Sequence, residues 1–302
     1  MKSKGQWVRR LTRLGVAMVL AMLSVHVASA AQAPFCGGTI TRDTKLFVDL
    51  PGCPGNGIII GRNNITLNLN RHTISGQGAG AGVLINGHTG VTVKNGTVQQ
   101  FGDGVRLEGG ATGNFLMDLI LSGNSVNGIL LLSSHDNLVK DNDASDNGSR
   151  GILLDQGSRI NNRVIHNMAH RNGIDGITLG NGSNRNHVRD NTANGNGITG
   201  IVLFAVKNTV VKDNTTNDNH SGGIFVFSNS TSTTLTNNQA FRNATDGIGV
   251  EATDSATKLT RNISNDNGDL GIDAPSTVKD GGGNRASGNG NPLQCTGVIC
   301  LP

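Results

Sequence analysis

A glycine followed by an apolar residue recurs at Gly57, Gly82, Gly104, Gly128, Gly151, Gly176, Gly200, Gly223, Gly247 and Gly271, at intervals of 22 to 25 residues. A period of this length, sustained along most of a chain, marks a solenoid in which each repeat stacks on the last. Without it, 44 glycines among 302 residues and very few aromatics would read as disorder.

Positions +1 and +3 after each glycine are apolar, as at Ile129 and Leu131, Ile152 and Leu154, Ile177 and Leu179, Ile201 and Leu203, Ile224 and Val226, and Ile248 and Val250. Period two predicts strands with these side chains on one face. A second apolar column follows at Val139, Val164, Val188, Val211, Leu235 and Leu259. Three residues later stands an asparagine in every repeat (Asn142, Asn167, Asn191, Asn214, Asn238, Asn262), and five further on another (Asn147, Asn172, Asn196, Asn219, Asn243, Asn267). Stacked coils turn each column into a ladder, in which an amide donates to one neighbour and accepts from the other. Asparagine also tolerates the left-handed backbone that a tight corner needs.

These features predict an all-β chain, a single-stranded right-handed parallel β-helix of about nine coils over residues 57–274. A leucine-rich solenoid has a similar period, but its leucine framework is missing, and Gly and Asn interrupt every stretch that would have to be helical. Six- and nine-residue β-repeats do not fit the interval.

The first 30 residues carry Lys2, Lys4, Arg9, Arg10 and Arg13, then an apolar run from Leu14 to Ala28, then Ala28-Ser29-Ala30. That is the pattern of an export signal cut after Ala30, with no membrane span expected once it is removed. Its loss leaves 20 basic against 21 acidic residues, from 25 against 21 in the whole chain. A near-neutral mature chain offers no basic surface for nucleic acid. Secretion or a periplasmic location would let Cys36 pair with Cys53 and Cys295 with Cys300. Residues 31–56 and 275–302, each with one such pair, are the expected caps, and the mature chain is expected to be a monomer.

The Gly-Ile-x-Leu and Asn-x4-Asn ladders resemble the parallel β-helix repeats of the pectate-lyase-like superfamily. The opening around Cys36-Gly-Gly-Thr-Ile-Thr and the close GGGNRASGNGNPLQCTGVIC resemble exported bacterial members related to the periplasmic accessory protein of nitrous-oxide reductase maturation. The resemblance implies that the outer face of the glycine-led strand forms a saccharide cleft. It also raises metalloenzyme maturation as a function, although the mature part holds few methionines (Met117 and Met168) and no His-rich tract.

On that face, positions +2 and +4 bring Leu130, Leu132, Leu153, Val202, Phe204, Phe225 and Phe227 together as an exposed apolar patch, where polar residues would be the rule. This is the predicted binding surface for a polysaccharide or cell-envelope partner, without catalysis. Trp7 leaves with the signal and Tyr is absent, so phenylalanine supplies the flat rings. The alternative is a polysaccharide lyase or hydrolase using Glu108 and Asp155 with Arg106. The two acids sit two coils apart, roughly 9 to 10 Å by strand spacing, near the separation of an inverting pair. Arg106 and Arg150 would then meet an acidic sugar, and Ca2+ enters only in the lyase case. Against this, Leu132 lies between the acids, and the polygalacturonase motifs and the pectate-lyase calcium cluster are not found. His166, between Asp141 and Asp190 in an outward column, lacks the further donors of a metal set, so neither a metal nor another cofactor is expected.

Overall fold

The computed structural model describes residues 34–158, 161–251 and 256–302. The expected export signal lies outside the described residues. The chain winds as a right-handed parallel β-helix. Eleven strands stack into one glycine-led sheet, from Gly38–Ile40 through Ile129-bearing Asn127–Leu132 to Ile272–Asp273, every pairing parallel. That is about ten turns, because strand Gly38–Ile40 adds a rung ahead of the ten glycines of the sequence column. A second sheet carries the valine column (Val139↔Val164, Val164↔Val188, Val188↔Val211). The third face is sheet toward the C-terminal end, and through the middle it is reduced to single bridges such as Asp143↔Met168 and Met168↔Thr192.

Pairing continues past residues 57–274 at both ends. Leu50 pairs with Ile74, and Asn284 with Cys300, so the segments expected to cap the solenoid are themselves incomplete coils. The disulfides Cys36–Cys53 and Cys295–Cys300 close them. No helix among the described residues is long and apolar enough to cross a membrane.

Inward residues stack like on like. Ile129, Ile152, Ile177, Ile201, Ile224, Ile248 and Ile272 form one fully buried column, and the valine column and Ala144, Ala169 and Ala193 pack against it. β-branched side chains fit this pleated surface and lose little freedom there.

Both asparagine ladders form as expected. Asn142 Nδ2 donates to Asn167 Oδ1 at 3.0 Å, Asn167 to Asn191 at 3.0 Å, and Asn191 to Asn214 at 3.0 Å. Each Oδ1 also accepts the backbone N–H of the preceding ladder member, as Asn191 does from Asn167 at 2.9 Å. A third ladder was not anticipated: Asn114, Asn137, Asn162 and Asn186 are buried, with amide bonds from Asn114 to Asn137 and from Asn137 to Asn162 and a backbone bond from Asn162 N–H to Asn186 Oδ1. The column, without the amide bonds, continues as Thr209, Thr233 and Thr257, and that change of residue type hides it from a reading based on identity.

The left-handed backbone is not at the asparagines themselves. It falls one residue earlier, at Asp141, His166, Asp190, Asp213, Asn237 and Arg261, with φ between 52° and 57°. The reason is a division of labour at the corner. The left-handed residue bends the chain and keeps its side chain in water, and the asparagine that follows points inward, where its bonds offset the strain of the bend. The outward charges neutralise one another between and within coils: Arg171 Nη2 to Asp146 at 2.7 Å, Arg242 Nε to Asp218 at 2.8 Å, and Arg189 Nε to Asp190 at 2.8 Å.

Candidate functional site

The outer face of the glycine-led sheet carries a groove of about 560 Å³, within the usual range for small-ligand clefts. Its floor is the +2 and +4 columns. Leu153 pairs with Thr178, Thr178 with Val202, Val202 with Phe225, and Phe204 with Phe227. The ring centroids of Phe204 and Phe227 are 5.1 Å apart and those of Phe225 and Phe227 6.3 Å, tilted and edge-to-face as aromatic quadrupoles prefer. Phe225 lies across Gly249, where an added Cβ would sit 2.7 Å from the ring, so the bare backbone at that position seats the aromatic.

The turn that precedes each glycine makes one wall. Ile174, Ile198 and Ser221 line it, stacked on Ser149 through backbone bonds, with Ile174 N–H on Ser149 O at 2.7 Å and Ile198 N–H on Ile174 O at 2.6 Å. Next to it sits a buried polar cluster. Asp175 Oδ2 accepts from Arg150 Nε at 3.2 Å and from the Thr178 hydroxyl at 2.9 Å, and its Oδ1 accepts from Thr199 N–H at 3.3 Å. Asp155 lines the groove too, accepting from Asn181 Nδ2 at 2.7 Å. At the far end stands Glu251, which accepts from Ser228 N–H at 3.0 Å.

The predicted binding residues divide in two. Leu153, Val202, Phe204, Phe225 and Phe227 line the groove, whereas Leu130 and Leu132 are not part of its lining. The patch expected to be exposed is only partly so: Leu130 and Val202 are each 7% exposed and the other five are half-buried. Neighbours in the column cover them, with Leu130 held between Arg106 and Leu153, and Val202 between Thr178 and Phe225. The result is a lined channel instead of an open apolar surface.

The proposed acid pair is split. Asp155 faces the groove, but Glu108 and Arg106 are not among its lining residues. Arg106 Nε is bound at 2.8 Å to the buried Asp103, which also accepts from Asn127 Nδ2 at 2.8 Å. Glu108 accepts weakly from Asn86 Nδ2 at 3.4 Å. The wall residues Ile174 and Ile198 were missed in the sequence. Their signal is the pair of matching stretches Asn172-Gly173-Ile174 and Asn196-Gly197-Ile198, where other coils carry Ser149, Ser221 or Thr245.

Among solved structures, the chain is similar to the A-module of a mannuronan C-5 epimerase from Azotobacter vinelandii, at 14% identity over 87% of this chain and 80% of that one, with a TM-score of 0.64. It is similar to a variant of a periplasmic alginate epimerase at 17% identity, over 83% and 78% of the two chains, with a TM-score of 0.58. The catalytic domain of an α-1,3-glucanase in complex with tetrasaccharides gives 14% identity, 88% and 63% coverage and a TM-score of 0.52. At these identities the common property is the fold. No curated protein matches the chain by sequence. A family model described as periplasmic copper-binding protein (NosD) matches residues 158–289.

The residues present do not fit copper. Copper takes converging imidazole and sulfur donors, and among the described residues no group of three or more His, Cys, Asp or Glu side chains is arranged to hold a metal ion. Both cysteine pairs are disulfides. His166 is engaged by carboxylates, with Nε2 3.3 Å from Asp190 and Nδ1 3.8 Å from Asp141.

His170 stands two residues before Asn172 of the second asparagine ladder. It is half-buried, its N–H bonds the Ser145 hydroxyl at 3.1 Å, and its Nδ1 accepts from Asn194 N–H at 3.2 Å. Burial holds its pKa below the ordinary histidine value, although the Asp143 carboxylate pulls the other way. The unfolded chain therefore takes up this proton first as pH falls. The stabilisation is complete above the ordinary value of about 6.5 and is lost as pH drops through the lowered folded value. In His170→Gln, the fall in Tm between about pH 7 and about pH 5 should shrink. An unchanged fall, measured by circular dichroism melting, would assign the pH response elsewhere.

The model of the family described as right handed beta helix region matches residues 56–206, half of the chain, and on this match together with the stacked parallel coils the chain belongs to that family.

Proposed function

We propose that this chain is an exported, monomeric β-helix protein that holds a glycan strand in the glycine-led groove without cleaving it. The observation that carries the reading is the row of Phe204, Phe225 and Phe227 along a channel whose other side holds the Arg150–Asp175–Thr178 cluster. Stacked rings supply apolar platforms for the faces of sugars, and buried donors and acceptors beside them fix hydroxyl orientation. Similar folds with polymer-directed names, the mannuronan and alginate epimerases and the glucanase with its tetrasaccharides, support a carbohydrate ligand. Two disulfides and the periplasmic name of one matching family support an oxidising compartment outside the cytoplasm.

The test is binding of a panel of neutral and charged polysaccharides to the purified mature chain. Reducing ends and unsaturated products are followed with and without Ca2+. Phe225→Ala with Phe227→Ala should weaken binding by about tenfold or more, from the loss of two ring contacts. Equal binding by that variant would move the ligand off this face. Turnover abolished by Asp155→Asn or Glu108→Gln would instead establish the cleaving alternative, for which the separation of Arg106 and Glu108 from the groove gives no support.

A further inference from the structure

The charges around the groove bear on which glycan it takes, given that the groove binds one at all. Asp155, Gly180, Phe204, Phe227 and Glu251 occupy one outward column, linked by the bonds Gly180 N–H to Leu154 O and Glu251 N–H to Val226 O and by the Phe204↔Phe227 pairing. An acid therefore stands at each end of a phenyl floor, four rungs apart, about 19 Å at the usual strand spacing. Asp155 is bonded to the Asn181 amide and the Gln156 N–H, and Glu251 to the Ser228 N–H. Among the described residues neither forms an ion pair with a base. Arg150 is the base in the described lining, and its guanidinium Nε is turned to Asp175 and Thr178.

We infer that the groove selects an amine-bearing glycan, a strand containing glucosamine-type sugars, over a polyuronate. Three features act in the same direction. The two carboxylates attract ammonium groups and repel uronate carboxylates, and like charges placed face to face are a strong source of discrimination. The faces of Phe204 and Phe227 carry negative quadrupole density, which also favours a cation above the ring. A uronate chain would call on a positive charge in the channel, and that of Arg150, the base in the described lining, is offset by Asp175.

The experiment is calorimetric titration of the full mature chain at about pH 6 with three oligomers of equal length: glucosamine, glucose and mannuronate. The glucosamine oligomer should bind about tenfold more tightly than either of the others, with the advantage shrinking as salt is raised. Asp155→Asn with Glu251→Gln, checked for an unchanged melting curve, should remove the preference, so that glucosamine and glucose oligomers bind alike. Mannuronate binding as tightly as glucosamine, or a preference that survives the double variant, overturns the inference. Equal binding of glucosamine and glucose oligomers overturns charge selection and leaves the groove as a glycan site. Failure of all three to bind removes the groove reading itself.

Discussion

Asn191→Leu should destabilise the chain by about 5 to 7 kcal/mol, which for a solenoid means loss of cooperative melting around the central coils. Asn191 is 1% exposed. Its Oδ1 accepts from the Asn167 N–H at 2.9 Å and the Asn167 amide at 3.0 Å, and its Nδ2 donates to Val164 O at 2.9 Å and Asn214 Oδ1 at 3.0 Å. Leucine is of similar size and cancels none of these needs. Four bonds, each worth about 1 kcal/mol, disappear, and the Asn167 N–H is left buried without its acceptor at a further cost of about 1 to 3 kcal/mol. The contrast is Arg189→Ala, two residues earlier on the water side. Arg189 pairs with Asp190 at 2.8 Å while 54% of its side chain is exposed, so its loss should cost about 1 kcal/mol or less. Urea unfolding of the two variants, side by side, checks the claim. Similar midpoints would mean that the ladder contributes shape and not stability.

Gly200→Ala, the addition of one methyl group, should destabilise by about 3 kcal/mol or more. The new Cβ would stand 2.7 Å from Gly223 O, 2.8 Å from Thr216 Cβ and 2.9 Å from Ala193 O. Two of these are backbone atoms that cannot rotate aside. The bonds from Gly200 N–H to Gly222 O at 3.2 Å and from Ile201 N–H to Gly223 O at 2.9 Å fix the spacing between the coils, so relief requires the coils to part. Val202 and Phe204 follow on the same strand, and the groove floor should shift with them. Gly55→Ala provides the comparison, since nothing lies within 4 Å of its added Cβ, and it should be neutral within about 0.5 kcal/mol. Thermal melting of both variants, with oligosaccharide binding on Gly200→Ala, tests the two parts. A Gly200→Ala variant that melts like Gly55→Ala would mean that the stack yields where it is drawn as rigid.

The same backbone closeness explains why the glycine column was so legible. At Gly128, Gly151, Gly176 and Gly200, a Cβ would come within 2.7 Å of the next coil's glycine carbonyl, so the same small residue is required at every level. A column whose packing demands one residue type repeats in identity, and identity is visible in a sequence. The third ladder obeys the same geometry but admits threonine after Asn186, at Thr209 and Thr233, and it escaped notice for that reason. The left-handed corners admit Asp, His, Asn or Arg because their side chains point to water, so they carry no residue signature at all.

The sequence by itself determined the winding: which residues share a column, which columns face inward, how the asparagines bond and how the cysteines pair. Those are properties of a repeat, and each coil reports them again. The tertiary structure alone decided the groove. Whether Leu130 or Val202 meets solvent depends on side chains one coil away, Arg106 and Leu153 for the first, Thr178 and Phe225 for the second. Arg150 is paired through its Nε with Asp175, which lies 25 residues along the chain but directly beside it in space. Lateral neighbours come from the stacking of unlike residues at one level of the face, and a period counts only the like ones.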